Sequence, residues 1–167
     1  MTRFHAVAAA AVLALAFGTD LRAADDKDEA VKKEMKAFEG NWQLIRQEER
    51  SSLTPKRVVA RLRIVIEGNQ ISWYIGNPAA NQTADFKIDP TKNPKTIDAE
   101  ITSGSAKDKT MLGIYRLDKD TLEICWNEAG NEKRPKKFSS RPGVGSGNVY
   151  TRYQREKDRE DGKKDSK

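Results

Sequence analysis

The chain has 167 residues, 37% hydrophobic and 34% charged, with 31 Lys+Arg against 25 Asp+Glu and a formal net charge of +6. That length suits one domain, and so low an apolar share implies polar flanks around it. The single histidine, His5, sits in an N-terminal apolar region, so a product that has lost this region has no histidine for a catalytic triad or a histidine metal site.

Residues 1–23 read as a signal peptide. Arg3 supplies the positive start, and Ala6 to Phe17 is an unbroken apolar run of twelve residues. Twelve is enough for the core of an export signal and too few for a membrane-spanning helix. Small residues follow, with cleavage expected near Ala23 and an earlier option at Ala16-Phe17-Gly18. An exported product in the periplasm or outside the cell is expected, with 29 basic and 24 acidic residues and no span long enough to cross a membrane. Cys125 is the only cysteine, so no intrachain disulfide frames the fold.

Residues 24–37 are highly charged, and Val31, Met35 and Phe38 recur at helical spacing, which predicts a short helix leading into the domain. From residue 38 to 156 the pattern is β. Leu62, Ile64 and Ile66 alternate with Arg61, Arg63 and Glu67; Ile71, Trp73 and Ile75 with Ser72, Tyr74 and Gly76; Phe86 and Ile88 with Asp85 and Lys87; Ile97 and Ile101 with Asp98 and Glu100; and Leu122, Ile124 and Trp126 with Glu123, Cys125 and Asn127. Gly68-Asn69 fits a two-residue hairpin turn. Adding Trp42–Glu49, Thr110–Leu117 and Val149–Tyr153 makes eight strands at intervals of about ten residues. Thr54–Ala60 predicts one short helix after the first strand, with Thr54 as N-cap and Pro55 at the first helical position. Residues 157–167 close the chain as a charged tail too polar to offset its ordering entropy by burial.

Eight short antiparallel strands with one apolar face predict an all-β, up-and-down barrel, which also removes exposed sheet edges; a two-layer sandwich is the competing arrangement. A barrel of this size is either filled by its side chains or holds one small ligand. The inward set comprises Trp42, Leu44 and the apolar members of the strands above, Ile75 included. They read as core, or in part as a site in which Trp73, Tyr115 and Trp126 line one mouth of a small apolar pocket.

Two stretches carry a resemblance. Gly40-Asn41-Trp42, after a short helix and opening the first strand, resembles the G-x-W signature of the lipocalin superfamily. There the tryptophan closes one barrel end beneath an arginine of the last strand, a part for Arg152 or Arg155 here. The series Lys87-Ile88-Asp89-Pro90 through Pro94-Lys95-Thr96-Ile97-Asp98, Leu112-Gly113-Ile114-Tyr115, Asp120-Thr121-Leu122, Ile124-Cys125 and Arg134-Pro135 resembles uncharacterised, mostly secreted lipocalin-like domains of planctomycete bacteria. The resemblance covers about residues 37–156 and implies a fold but no activity, cofactor or catalytic residue. Ser51-Ser52, Asp108 and Lys119 depart from that pattern, where glycine-containing turns are common.

Carboxylates are the remaining acid–base candidates. Asp89, Asp98, Asp118 and Asp120 all stand beside prolines, strand starts or turns, where Asp bonds nearby backbone N–H groups. Asp118-Lys119-Asp120 lacks the glycine and closing glutamate of a calcium loop. Cys125 falls on the outward phase of its strand and reads as an inert thiol covered by outer loops. Gly143-Val144-Gly145-Ser146-Gly147 precedes a strand and lacks the lysine of a phosphate loop, so it reads as a hairpin connection. Lys133, Arg134, Lys136 and Lys137, with Arg141 beyond, form a basic cluster that would attract an anionic envelope component. Export argues against nucleic acid as the partner. The expectation is a monomeric, non-catalytic binding protein without metal or cofactor, taking a small apolar or amphipathic ligand. The competing readings are an interaction module of the cell envelope and a hydrolase using carboxylates alone.

Overall fold

The period-two segments pair into one antiparallel sheet that closes on itself. The computed structural model describes residues 18–76, 78–141 and 147–157. The expectations for residues 1–17, for most of the glycine-rich stretch (142–146) and for the tail from 158 fall outside them. The elements in chain order are α1 (Gly18–Phe38), β1 (Gly40–Glu49), β2 (Ser52–Leu53), α2 (Lys56–Val59), β3 (Leu62–Glu67), β4 (Gln70–Ile75), β5 (Gln82–Asp89), β6 (Lys95–Ser103), β7 (Thr110–Asp118), β8 (Thr121–Trp126) and β9 (Val149–Arg155). Each long strand pairs with the next, and β1 pairs with both β3 and β9, which closes eight strands into a barrel; the short β2 is a ninth strand appended to β1. Among the described residues no helix is long and apolar enough to cross a membrane.

The turns follow from backbone conformation. Gly68-Asn69 links Glu67 to Gln70, with Gly68 at φ +56°. Arg50-Ser51 links Glu49 to Ser52 with φ of +49° and +66°, the pair of positive values that suits the twist of a two-residue hairpin. Asp108 and Lys119 also have positive φ, so these departures from the glycine-containing pattern fall where the chain takes a left-handed conformation.

Three local expectations need correction. Thr54 is not the N-cap of α2: its N–H donates to Gln47 O and closes the β1–β2 hairpin, and Pro55 stands in the cap position without a side-chain cap bond. Helix α1 is longer than the segment 24–37 and begins within the predicted signal peptide, at Gly18. Ile75 keeps the inward phase but ends β4 at the barrel rim, where it is more than half exposed.

The interior is filled by one cluster in which Trp42, Ile64, Ile66, Ile71, Ile97, Leu122 and Ile124 are almost fully buried. A bulge in β1 between Leu44 and Arg46 shifts its pairing with β9. The extra residue reverses the alternation, so Trp42 and Leu44 point inward while Arg46 points out beside Arg152.

The N-terminal helix seals one end. Phe38 is fully buried, packs edge-on against Tyr115 at 5.0 Å and contacts the Phe86 ring at 5.7 Å. Met35 and Val31, one and two turns earlier, rest on the same core. Ion pairs Lys95–Glu34 (2.6 Å) and Lys27–Asp89 (3.0 Å) tie the helix to β6 and β5. Thr91 donates to Asp89 from both its hydroxyl and its N–H, and these bonds together with Lys27 lower the carboxyl to about 2. An unfolded aspartate ionises near 3.8, so this stabilisation is complete above about pH 4 and is lost as pH falls toward 2. Between pH 4 and pH 2 the melting temperature of wild type is expected to fall more steeply than that of Asp89→Asn, and the two should converge as pH approaches 2.

Candidate functional site

The G-x-W segment is explained by what surrounds it. Gly40 has φ +121°, and a Cβ there would lie 2.9 Å from Arg155 Nη1. Arg155, opposite Trp42 in register, sets its guanidinium over the indole at 4.0 Å. It donates to Ala37 O (2.7 Å) and Glu39 O at the end of α1, and pairs with Asp120. Trp42 Nε1 donates to Phe38 O at 2.8 Å. Of the two arginines offered for this role, Arg155 takes it; Arg152 lies on the outer wall against Glu123.

The three residues expected to share a mouth separate. Trp73 and Trp126 meet edge to face, with ring centroids 6.5 Å apart. Tyr115 belongs to the sealed end, under Phe38 and with Lys95 over its ring at 5.8 Å. Burial and the nearby Glu34 carboxylate push its phenol above the usual range. The mouth therefore consists of Trp73 and Trp126, with half-buried Leu62 and Met111 on the inward phase and Ile75 at the rim. Helix α2 covers one side of this end with Val59, and Gln43 Nε2 donates to the carbonyls of Val59 and Leu62.

Two indoles there differ in their polar contacts. The Tyr153 hydroxyl lies against Thr151 and the Trp73 indole N–H, and burial still pushes it up to about 12. Trp126 Nε1 is buried and has no hydrogen-bond partner among the described residues. A buried donor without an acceptor costs about 1–3 kcal/mol, so the mouth holds an unmet demand for an acceptor. Gly113 makes this position available: opposite Trp126 in register, it leaves the space where a Cβ would come within 2.7 Å of the indole.

The basic cluster also divides. Lys133, Lys136, Lys137 and Arg141 are exposed. Arg134 is instead a strut: Nη1 donates to Ile97 O (3.1 Å) and Gly113 O (2.7 Å), and Nη2 pairs with Asp98. It fastens the chain after β8 to the outside of β6 and β7. That chain continues across the wall, where Phe138 lies under Arg116 at 4.8 Å and Ser140 Oγ donates to Glu48.

This crossing buries Cys125, whose thiol donates to Ser139 O at 3.7 Å and is pushed up by burial. Cys125 faces outward, as its strand phase predicts, and the crossing segment covers it. Cys125 is expected to react with a disulfide reagent at pH 8 more than about tenfold slower in the native chain than in denaturant.

The carboxylates singled out by sequence are engaged singly: Asp89 by Thr91 and Lys27, Asp98 by Arg134, Asp120 by Arg155, while Asp118 ends β7 at a turn. Concavities elsewhere include one of about 180 Å³ on the outer wall over Asp85, Lys87, Asp98 and Glu100, and one of about 450 Å³ beside Gly40 and Gly68 at the sealed end.

A closed eight-stranded antiparallel barrel with a helix over one end has the architecture of a lipocalin-like binding fold. Comparison with protein-family models, curated proteins and solved structures returned no match.

Proposed function

We propose that this chain is an exported, non-catalytic binding protein that seats a small apolar or amphipathic molecule at the mouth formed by Trp73 and Trp126. The observation that carries this reading is the buried, unpartnered Trp126 Nε1 among half-buried apolar side chains at the end α1 leaves free. Apolar surface supplies burial, and one convergent donor fixes orientation. A ligand with an oxygen acceptor at its buried end satisfies that donor. The carboxylates engaged in ion pairs and turns support a passive role over hydrolysis, and the filled interior confines the ligand to the mouth. The resemblance to secreted lipocalin-like domains points the same way.

Dodecanoate is a suitable probe, with an apolar chain and a carboxylate acceptor. In nitrogen–proton correlation spectra, titration is expected to move the Trp126 indole cross-peak and leave that of Trp42, bonded to Phe38 O at the opposite end, in place. No movement of the Trp126 peak up to millimolar probe would overturn the reading.

A further inference from the structure

A second surface, independent of the mouth, is assembled from residues that are scattered in sequence. Across four neighbouring strands, Arg116 on β7 stands opposite Glu123 on β8, Glu123 opposite Arg152 on β9, and Arg152 opposite Arg46 on β1. Three strand spacings separate the ends of this row, roughly 14 Å. Arg46 joins it only because the β1 bulge turns it outward.

The segment that crosses the wall lies beside the row. Its position is fixed by Phe138 under Arg116, Ser139 O on Cys125 and Ser140 on Glu48. Arg141 is close enough to help lower the Glu48 carboxyl. Lys136, Lys137 and Arg141 are thereby brought to one face with the three sheet arginines, all exposed or nearly so.

Depth decides what a partner meets. The side chains of Arg46, Arg116 and Arg152 are 51%, 63% and 46% exposed, whereas Glu48 and Glu123 are 19% and 14%. The carboxylates lie low and orient the guanidiniums; the outermost groups are cationic. Six cations outnumber the two shielded anions and the exposed Asp118 at the end of β7, which gives the face a positive potential that a linear polyanion can follow. Guanidiniums offer paired N–H donors that match carboxylate and sulfate oxygens. Neither ring on this face is exposed: Phe138 and Tyr150 are both half-buried. Single-stranded nucleic acid binding relies on exposed aromatic platforms for stacking, and this face lacks them.

We propose that the outer face of β7, β8, β9 and β1, with the 136–141 segment beside it, binds an anionic polysaccharide. The test uses the full chain and heparin fragments, with affinity measured over a range of salt concentrations. Binding is expected to weaken steeply with salt. Lys136→Gln with Lys137→Gln, both exposed, should weaken it about tenfold and reduce the slope of log affinity against log salt by about 1.5. Arg46→Gln with Arg116→Gln, which leaves Glu123 paired to Arg152, should cause a similar loss with an unchanged circular dichroism spectrum. Lys87→Gln with Lys92→Gln, exposed on the opposite side of the barrel, should change neither affinity nor slope. Absence of heparin binding at low salt, equal losses in the Lys87/Lys92 control, or tighter binding of a single-stranded oligothymidylate of matched charge would each overturn the proposal.

Discussion

Replacing Arg155 with alanine is expected to lower stability by about 2–4 kcal/mol. One guanidinium covers the Trp42 indole and closes two carbonyls at the end of α1. Its removal leaves those acceptors without a charged donor and opens the sealed end of the barrel. For a domain of this size the change corresponds to a fall in melting temperature of roughly 5–12 °C. Arg155→Lys should recover little of it, because an ammonium cannot lie flat on the indole while reaching two carbonyls as a planar fork does. Calorimetry on the three proteins checks this. A Lys variant as stable as wild type would show that charge alone, not the fork, holds this end.

The second large effect is expected at Gly113. A methyl group there meets Trp126 Cε3 at 2.7 Å, Ile97 Cγ2 at 3.0 Å and Cys125 O at 3.1 Å. The last of these is backbone and cannot step aside. Gly113→Ala should cost about 1–3 kcal/mol after the entropy gained from the unfolded chain is subtracted. It should also shift the Trp126 indole away from Trp73, which tryptophan fluorescence and near-ultraviolet circular dichroism both read. The two substitutions separate the ends of the barrel. Arg155→Ala should leave the Trp126 environment intact, while Gly113→Ala should disturb it. An alanine at 113 with wild-type stability and spectra would show that the mouth accommodates the added carbon, contrary to the packing described.

Much of this was legible in the sequence, for a physical reason. A closed barrel buries one face of every strand, so Ile64, Ile66, Ile71, Ile97, Leu122 and Ile124 carry a clean period of two. Alternation gives the phase of a residue but not its height along the barrel. Tyr115 and Trp126 share the inward phase on adjacent strands yet serve opposite ends, and Ile75 is inward yet exposed. The choice between Arg152 and Arg155 depended on the register of β9 against β1, which the bulge at Leu44/Arg46 sets. Arg134 looked like one cation among five; only the carbonyls of Ile97 and Gly113 distinguish it. The arginine row could not be seen at all, because its members come from three distant strands and one depends on a bulge. Trp126 was singled out as aromatic, but the lack of an acceptor for its N–H is a property of the folded interior.

A mouth built from Trp73 and Trp126 that seats a ligand should carry it through purification or take it up from solution. Native mass spectrometry of the purified full chain, with and without dodecanoate, tests this most directly. A wild-type complex one ligand heavier than the polypeptide is expected, lost in Gly113→Ala and retained in Arg155→Ala, whose mouth is untouched. A wild-type chain that flies bare and takes up no dodecanoate, or a Gly113→Ala chain that binds as well as wild type, would contradict it.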